Sequence, residues 1–301
     1  MNLRDEIVSA AGIGSVLENE PMKNHTSFRV GGNARYLVQP SCESEAIGLI
    51  ELLRKRGEKF FVMGNGSNLL VSDKGYDGVI VKIAKNLSEI QVEGETIKAQ
   101  GGALLSAVAA AALENELEGF EFASGIPGTI GGALAMNAGA YGGEIRDVIV
   151  EADVLSADGR HLTLSRDEME LGYRTSAISR DGYIVLGALL RLKKGCREDI
   201  KNRMAELTKM RKDKQPLNFP SAGSTFKRPE GHFAGKLISD AGLKGYSIGG
   251  ACVSEKHAGF IVNNNDATAG DVFKLIEYVR EKVFEEFGVS LETEVKLLGD
   301  F

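Results

Sequence analysis

The stretch Gly125-Ile-Pro-Gly-Thr-Ile-Gly-Gly132, followed by Asn137-Ala-Gly139 and Tyr141-Gly-Gly143, restricts the fold more than any other part of the sequence. It contains seven glycines in nineteen residues, a density that would cost conformational entropy in an ordinary helix or strand. Glycine is useful where the backbone turns tightly or approaches a ligand closely, and successive N–H groups in such turns can hold an anion. The alternative is a tightly packed turn of small residues between core elements.

A second glycine-rich loop, Gly64-Asn-Gly-Ser-Asn68, directly follows a predicted strand at 60–63. A dinucleotide-binding fingerprint would need a third glycine and then a helix, but residues 69–71 are apolar and strand-like. A phosphate loop of the nucleoside-triphosphatase type would need a lysine, which the loop lacks. What remains is a nest of backbone N–H groups that can hold an anion, or a plain turn. Together, the two loops favour a ligand with two phosphates.

Hydrophobic periodicity predicts a mixture of strands and helices along the whole chain. The predicted strands lie at 36–39, 60–63, 69–71, 79–84, 90–92, 96–99, 148–155, 161–164, 183–192 and 291–298. The predicted helices begin after the N-cap Ser41 and end at Gly57, run from about 103 to 117, lie within 193–214, and begin after the N-cap Thr268 and end at Gly288.

Two of these helices carry further signals. The last one has Asp271 at the capping-box position, and its predicted buried face consists of Val272, Leu275, Ile276, Val279, Val283 and Phe287. Residues 193–214 hold nine Lys or Arg and four Asp or Glu around a narrow apolar stripe of Ile200, Met204 and Leu207. This charge run favours a solvent-exposed connecting helix, with a phosphate-binding cluster as the alternative.

Composition excludes several classes of protein. A chain of 301 residues, 43% of them hydrophobic, is long enough for two or three domains. A net charge of −6 gives no general attraction to nucleic acid or anionic membranes, and the apolar runs predict no membrane insertion. Cys42, Cys196 and Cys252 are scattered, which fits a reduced cytoplasmic protein without a disulfide framework or structural zinc. The four histidines show no metal-ligand spacing, so no metal is predicted.

The segment Ser221-Ala-Gly-Ser-Thr-Phe-Lys-Arg-Pro229 combines a hydroxyl with two cations. Ser224 follows a glycine and could deliver a proton, while Lys227 or Arg228 could attract a phosphate or carboxylate. A surface turn explains the same residues equally well.

Two further pairs are ambiguous in the same way. Tyr173-Arg174 could contribute a bidentate carboxylate clamp or a solvated loop charge. Glu292 and Glu294, two apart on a predicted strand, share a face that lines either a cleft or solvent.

Taken together, these clusters, in this order, resemble the UDP-N-acetylenolpyruvoylglucosamine reductase family, also called UDP-N-acetylmuramate dehydrogenases. The likeness extends nearly from end to end. It includes the further motifs Asn24-His-Thr-Ser-Phe28, Gly235-Lys-Leu-Ile238, Ser254-Glu-Lys-His-Ala-Gly-Phe260 and Leu291-Glu-Thr-Glu-Val295.

The resemblance implies an α+β fold with a two-lobed FAD-binding domain of the vanillyl-alcohol-oxidase-like (PCMH) type, followed by a C-terminal α+β substrate-binding domain. We place the two lobes at 1–85 and 86–200 and the substrate-binding domain at 201–301. Nothing between residues 183 and 221 fills the space of the extra tyrosine-bearing loop of the longer subgroup, so the chain resembles the shorter one.

The implied chemistry uses non-covalent FAD and NADPH as the reductant, and it reduces the enolpyruvyl group of UDP-N-acetylglucosamine enolpyruvate. In the family pattern Arg174 and Glu294 match the electrostatic stabilisers and Ser224 the proton donor. The residues that match the cofactor-binding loops are Gly64, Asn65, Gly66, Ser67, Asn68, Gly125, Ile126, Pro127, Gly128, Thr129 and Gly132.

Substrate contacts are predicted for Tyr173, Asn137, Lys227 and Arg228, the last standing where many relatives have asparagine. Two rival functions are a sugar or alcohol oxidase on the same scaffold and a non-catalytic nucleotide-binding protein. Many such oxidases tether FAD to a histidine, which neither glycine-rich loop contains. A non-catalytic relative would be expected to lose Ser224, Arg174 or Glu294, and all three are present.

Overall fold

The computed structural model describes residues 2–12 and 15–301. Two compact units divide the chain. The first contains the described residues up to Leu17 together with Tyr36–Asn65 and Gly78–Arg211; the second contains Glu18–Arg35, Gly66–Asp77 and Lys212–Phe301. The second unit therefore gathers two early segments with the C-terminal third. The three segments 1–85, 86–200 and 201–301 remain a prediction.

The helices and strands follow one another in a mixed order along the chain. The helices are α1 (Leu3–Ala11), α2 (Glu43–Arg56), α3 (Leu105–Glu114), α4 (Ile130–Ala135), α5 (Ala177–Arg180), α6 (Arg197–Lys214), α7 (Ala234–Asp240) and α8 (Ala269–Phe287). The strands are β1 (Val16–Pro21), β2 (Asn33–Val38), β3 (Phe60–Met63), β4 (Leu69–Val71), β5 (Tyr76–Lys82), β6 (Ile90–Glu93), β7 (Thr96–Gln100), β8 (Leu117–Glu118), β9 (Gly139–Ala140), β10 (Gly143–Glu144), β11 (Ile149–Leu155), β12 (His161–Ser165), β13 (Ile184–Arg191), β14 (Lys193–Lys194), β15 (Ser247–Ile248), β16 (Ala251–Val253), β17 (Ile261–Asn263) and β18 (Lys296–Leu298).

A four-stranded sheet, in the order β1-β2-β5-β3, carries the first glycine-rich loop at the end of β3. Strands β3 and β5 are parallel, with Phe60 opposite Val79. The apolar faces of α1 and α2 cover this region, where Ile7, Leu49 and Val79 are fully buried. The loop therefore leaves the sheet at the carboxyl end of a parallel strand, the usual place for a ligand site.

A five-stranded antiparallel sheet, in the order β12-β11-β13-β7-β6, forms the larger core of the first unit together with α3 and α4. The predicted strands 148–155, 161–164 and 183–192 are confirmed within a residue or two. The predicted helix 103–117 is too long. It ends at Glu114 because Glu116 takes a left-handed backbone (φ 57°) and Leu117 pairs with Lys194.

The second unit is built around α8, which packs on the three-stranded sheet β15-β16-β17. The predicted capping box of Thr268 and Asp271 is confirmed, and Gly288 ends the helix with a left-handed backbone (φ 67°). The predicted buried stripe is confirmed except for Phe287, which is 37% exposed because it lies in the last turn.

Two further predictions of element ends are wrong. Ser41 does not cap α2: Cys42 is the N-cap residue, and the Ser41 N–H donates to the Glu45 carboxylate at 2.7 Å. The strand predicted at 291–298 is reduced to β18. Parallel pairing with the three residues of β4 supports only that length, whereas Thr293 forms an isolated antiparallel bridge to Phe226.

Most of the charge run at 193–214 forms helix α6, and most of the surface of this helix is exposed to solvent, as predicted. Ile200 and Leu207 are buried, and most of its charged residues are exposed. Within residues 2–12 and 15–301, no helix combines the length and apolar character that crossing a membrane would require.

Candidate functional site

The first glycine-rich loop contacts the second one within the first unit. A Cβ on Gly64 would overlap the side chain of Thr129, and the Asn65 amide Nδ2 donates to the Pro127 carbonyl at 3.2 Å. Two segments that are about 60 residues apart in sequence, and that were predicted independently to bind phosphate, therefore lie side by side.

The second loop ends in the short helix α4, where the glycines differ in their surroundings. Thr129 caps the helix by accepting from the Gly132 N–H at 3.3 Å. A Cβ on Gly131 would stand 3.2 Å from the Gly101 carbonyl oxygen, so packing explains that glycine. A Cβ on Gly132 would meet only Thr129 Oγ1, at an ordinary 3.5 Å. Protein packing therefore leaves room at Gly132, and a close ligand is a reason for glycine there.

Arg211 lies beside the same loop, and the sequence reasoning did not single it out. It is partly buried; its Nη1 is 3.3 Å from where a Cβ of Gly125 would stand, and its buried Nε has no hydrogen-bond partner among the described residues. Burial lowers the pKa of the guanidinium, against a smaller opposing effect of Tyr141. A desolvated cation with an unused donor beside a glycine-rich loop suits a phosphate oxygen.

The sequence did contain a signal for Arg211. It stands four residues after Leu207 and seven after Met204, so it continues the apolar stripe of α6 rather than its exposed face.

A second buried donor lies beside Gly66 of the first loop, inside the second unit. Ser27 donates its backbone N–H to the Gly66 carbonyl at 3.1 Å, and its buried Oγ has no partner among the described residues. Gly66 has a left-handed backbone (φ 64°) that glycine favours. Within the first unit, the room at Gly132 and the unused Nε of Arg211 fit a phosphate group, and within the second unit Ser27 Oγ is a separate unused donor.

Tyr173 and Arg174 occupy a tight turn of the first unit, bridged between Gly172 and Thr175. Arg174 has a left-handed backbone (φ 54°), and its guanidinium carbon lies 5.6 Å from the centre of the Tyr173 ring, which is 56% exposed. Non-glycine residues hold such backbones only where their surroundings enforce them, and such residues cluster at functional sites.

Asn137, predicted to bind substrate, is 1% exposed and supports this turn from below. Its Nδ2 donates to the Gly172 carbonyl at 3.2 Å and to the Glu144 carboxylate at 2.5 Å, and its Oδ1 accepts from the Arg146 N–H at 3.0 Å. The structure thus gives Asn137 a positioning contact, and its role toward substrate stays a prediction.

Ser224 and Glu294 come from neighbouring segments of the second unit. Thr225, next to Ser224, accepts from the Glu294 N–H at 2.8 Å, while the Lys227 N–H donates to the Glu292 carbonyl at 2.9 Å. Thr225 is fully buried, and its own N–H donates to the Gly259 carbonyl at 2.8 Å. The fold therefore places Ser224, the predicted proton donor, next to Thr225, whose carbonyl binds the backbone N–H of Glu294.

The predicted substrate cations lie at the surface of this unit. Lys227 Nζ is 3.0 Å from the Glu292 carboxylate, and the Arg228 guanidinium carbon lies 4.5 Å from the centre of the Phe233 ring. Glu292 and Glu294 are not on a regular strand, and Glu292 is more exposed than Glu294. Over residues 2–12 and 15–301, no three His, Cys, Asp or Glu side chains are grouped as a metal site would need.

Two family models match successive parts of the chain. Residues 34–165 match a family model described as an FAD binding domain, and residues 215–298 match the C-terminal domain of UDP-N-acetylenolpyruvoylglucosamine reductase. These matches confirm the predicted order of an FAD-binding domain followed by a C-terminal domain in an α+β chain.

Curated relatives match over almost the whole length. UDP-N-acetylenolpyruvoylglucosamine reductase from Caldanaerobacter subterraneus subsp. tengcongensis is 54% identical, covering 99% of this chain and 98% of its own. The protein of the same name from Agathobacter rectalis is also 54% identical, covering 95% of each chain.

Solved structures show the same likeness. The crystal structure of the reductase from Thermus caldophilus is 36% identical, with a TM-score of 0.80 over 94% of this chain and 98% of that one. Alkyldihydroxyacetonephosphate synthase, at 16% identity and a TM-score of 0.50 over 64% of this chain and 40% of that one, shares the fold alone. On these near full-length matches, with the motifs of both domains in place, the chain belongs to the UDP-N-acetylenolpyruvoylglucosamine reductase family.

Proposed function

We propose that the protein reduces the enolpyruvyl group of UDP-N-acetylglucosamine enolpyruvate to give UDP-N-acetylmuramate, with NADPH as the reductant, in the cytoplasmic synthesis of peptidoglycan precursors. The observation that carries the proposal is the pairing of the Ser224 and Glu294 segments in a chain whose relatives, over nearly their full length, are reductases of this name. Residues 1–85 and 86–200 are proposed as the two FAD-binding lobes, with 201–301 as the substrate-binding domain.

Bound FAD would supply the hydride carrier between NADPH and the substrate alkene. The backbone N–H groups of Gly64-Asn-Gly-Ser-Asn68 and of Gly125–Gly132 would hold its two phosphates, with Arg211 neutralising part of their charge. Ser27 Oγ offers a further donor beside Gly66 of the first loop.

The reaction adds a hydride to the terminal alkene carbon and a proton to the neighbouring carbon that bears the carboxylate. Arg174 would bind that carboxylate and stabilise the negative charge that grows on it, and Glu294 would orient and polarise the reacting end of the substrate. Ser224 would deliver the proton through its hydroxyl. Because a serine hydroxyl is a weak acid in water, solvent must be kept from the site.

Lys227 would bind the sugar nucleotide through its charge. A surface ion pair such as that of Lys227 with Glu292 contributes only about 0–1 kcal/mol, so a substrate phosphate can replace the Glu292 carboxylate at little cost. Arg228 and Tyr173 are exposed in their own units and are proposed as further substrate contacts.

Anaerobic spectroscopy of the purified protein tests the proposal. The protein should be yellow, release free flavin on denaturation, bleach with NADPH, and recover its colour when the enolpyruvyl sugar nucleotide is added. Bleaching without recovery would indicate a different flavoenzyme. Flavin that stays attached after denaturation would indicate a tethered oxidase, and a colourless protein would support a non-catalytic nucleotide-binding function.

A further inference from the structure

We infer that Asn68, in the first glycine-rich loop, is a positioning residue that holds Glu294 in place through its side-chain amide. The inference rests on the proposed function for the role of Glu294. It concerns a residue whose motif alone indicated only a cofactor contact.

Asn68 makes two contacts with the segment that carries Glu294. Its Nδ2 donates to the Glu294 carbonyl at 3.0 Å, and its own carbonyl accepts from the Lys296 N–H at 3.0 Å. The residues concerned are 226 positions apart in sequence, and the next residue, Leu69, stands opposite Lys296 in the parallel pair of β4 and β18. Asn68 thus hydrogen-bonds with both Glu294 and Lys296, immediately before the regular pairing of β4 with β18 begins.

Glu294 needs such a partner because it lies outside a regular strand. Thr293 is an isolated bridge, and β18 begins only at Lys296. The Glu294 N–H is held by the Thr225 carbonyl at 2.8 Å, so Thr225 and Asn68 secure the two sides of its peptide backbone. With both backbone groups held, the start of the Glu294 side chain is fixed relative to Ser224.

The two asparagines of the loop therefore act on different segments. Asn65 donates its amide to the Pro127 carbonyl of the second glycine-rich loop, at 3.2 Å, within the first unit. Asn68 donates its amide to the Glu294 carbonyl within the second unit. One donor of the Asn68 amide is therefore engaged with the segment that carries Glu294 rather than with a ligand.

The test uses Asn68→Ala and Asn68→Asp in the FAD-loaded protein, with Asn65→Ala as the matched asparagine variant. Aspartate has the shape of asparagine but cannot donate to the Glu294 carbonyl when ionised. Stopped-flow absorbance follows flavin bleaching by NADPH and recovery with the enolpyruvyl sugar nucleotide, and flavin content and melting temperature are measured alongside.

Both Asn68 variants should slow recovery by about 10-fold or more, since a small misplacement of a catalytic group has effects of this size. Bleaching by NADPH should stay within about 2-fold of the wild type, because that step does not use Glu294. Asn65→Ala should show the opposite pattern. Its flavin content should fall more than the recovery rate of its FAD-loaded fraction does. Equal slowing of both half-reactions by Asn68→Ala, or an unchanged recovery rate, would overturn the inference.

A double-mutant cycle asks whether Asn68 acts through Glu294. If it does, Asn68→Ala should slow recovery little further in a Glu294→Gln background, because residues that act as a unit are non-additive. Fully multiplicative effects would refute the link.

Hydrogen–deuterium exchange gives a readout that does not depend on activity. Peptides covering 291–298 should exchange faster in Asn68→Ala than in the wild type, whereas peptides covering α8 should not change. If the wild type fails to react with the enolpyruvyl sugar nucleotide but this exchange still rises, the proposed function is wrong and the positioning contact stands. Unchanged exchange in 291–298 would refute the contact itself.

Discussion

Arg211 and Lys227, two cations proposed to meet phosphate, are held in different ways. Arg211 is partly buried, with a buried Nε that has no partner among the described residues, whereas Lys227 is paired with Glu292 at the surface. A desolvated guanidinium gains more from an incoming anion than a solvated ammonium that already has a carboxylate. We therefore expect Arg211 to contribute more to cofactor retention than Lys227 does to substrate binding.

Substituting Arg211 by Met should weaken FAD binding by about 10-fold or more, since hydrogen bonds to charged groups contribute about 1.5–3 kcal/mol. Methionine keeps an unbranched side chain, so the packing of this α6 residue beside Gly125 is largely preserved. Flavin retained after dialysis measures the effect. Arg203→Met is the control, because Arg203 lies on the exposed face of the same helix, paired with Glu206. Equal flavin retention in the two variants would remove Arg211 from the cofactor site.

Substituting Ser224 by Ala should separate the two half-reactions. Reduction by NADPH needs no proton from Ser224, whereas reduction of the alkene does, and positioned proton transfer contributes about 10²–10⁴-fold. Stopped-flow traces should show near-normal bleaching and much slower recovery. Ser221→Ala, three residues earlier in the same segment, should leave both steps unchanged. If Ser224→Ala slowed bleaching alone, Ser224 would not be the proton donor.

At the scale of elements, the second glycine-rich loop and α4 combine a packing role with a binding role in adjacent residues. Gly131 donates its N–H to the Gly101 carbonyl at 2.8 Å, and a Cβ there would press on that carbonyl and on Val185. A Cβ on Gly132 would make only an ordinary contact, with Thr129 Oγ1. The two glycines therefore allow the roles to be separated experimentally.

Gly132→Val should yield a folded protein depleted of FAD, whereas Gly131→Val should lower the melting temperature of the apoprotein. The first side chain would enter the space assigned to the cofactor, and the second would overlap the protein's own backbone at a cost of about 1–3 kcal/mol. Calorimetry of both apoproteins and flavin absorbance measure the two effects. Normal flavin content in Gly132→Val would mean that this loop is only a packing turn.

The N-terminus of α8 is the second element with a separable contribution. Bonding from the Thr268 backbone N–H, at 3.0 Å, lowers the pKa of the Asp271 carboxyl, with a smaller opposing effect of burial. A lowered folded-state pKa stabilises the protein above the unfolded value of about 3.9, and this stabilisation is lost as the pH falls through the folded value.

Asp271→Asn should therefore reduce the free energy of unfolding at pH 7 by about 0.3–1 kcal/mol, the typical range for a charge at a helix N-terminus. The difference from the wild type should shrink as the pH falls below about 4 and through the lower folded-state pKa of Asp271, because the wild-type carboxyl then becomes neutral as well. Urea unfolding at several pH values measures it. Glu286→Gln, at the exposed opposite end of α8, should show no such loss. A difference that stayed constant with pH would attribute the effect to shape rather than charge.

At the scale of the whole molecule, cofactor binding should contribute to stability. A ligand that binds only the folded chain adds about 2.7 kcal/mol when its free concentration is about 100 times its Kd. Removing FAD should lower the melting temperature, and adding FAD back should raise it progressively, as scanning calorimetry can measure. NADPH alone, added to the apoprotein, serves as the control. A melting temperature independent of FAD would contradict a resident, non-covalent cofactor.

The sequence by itself determined the elements whose signals are local. Strand alternation, the Thr268–Asp271 capping box and the end of α8 at Gly288 depend on neighbouring residues, and the structure confirms them. The two glycine-rich loops were also visible, because glycine density is a property of the sequence. The ordered set of motifs indicated the family, which the near full-length relatives confirm.

Only the tertiary structure decided which polar side chains are engaged with protein and which stay available for ligands. It buried Asn137 under the turn of Arg174, partly desolvated Arg211 on a mostly exposed helix, and joined Asn68 to Glu294 across 226 positions of sequence. It also shortened the strand predicted at 291–298, because β4 offers a partner for three residues only. Burial and long-range hydrogen bonds depend on which distant segments meet, and local periodicity carries no information about that.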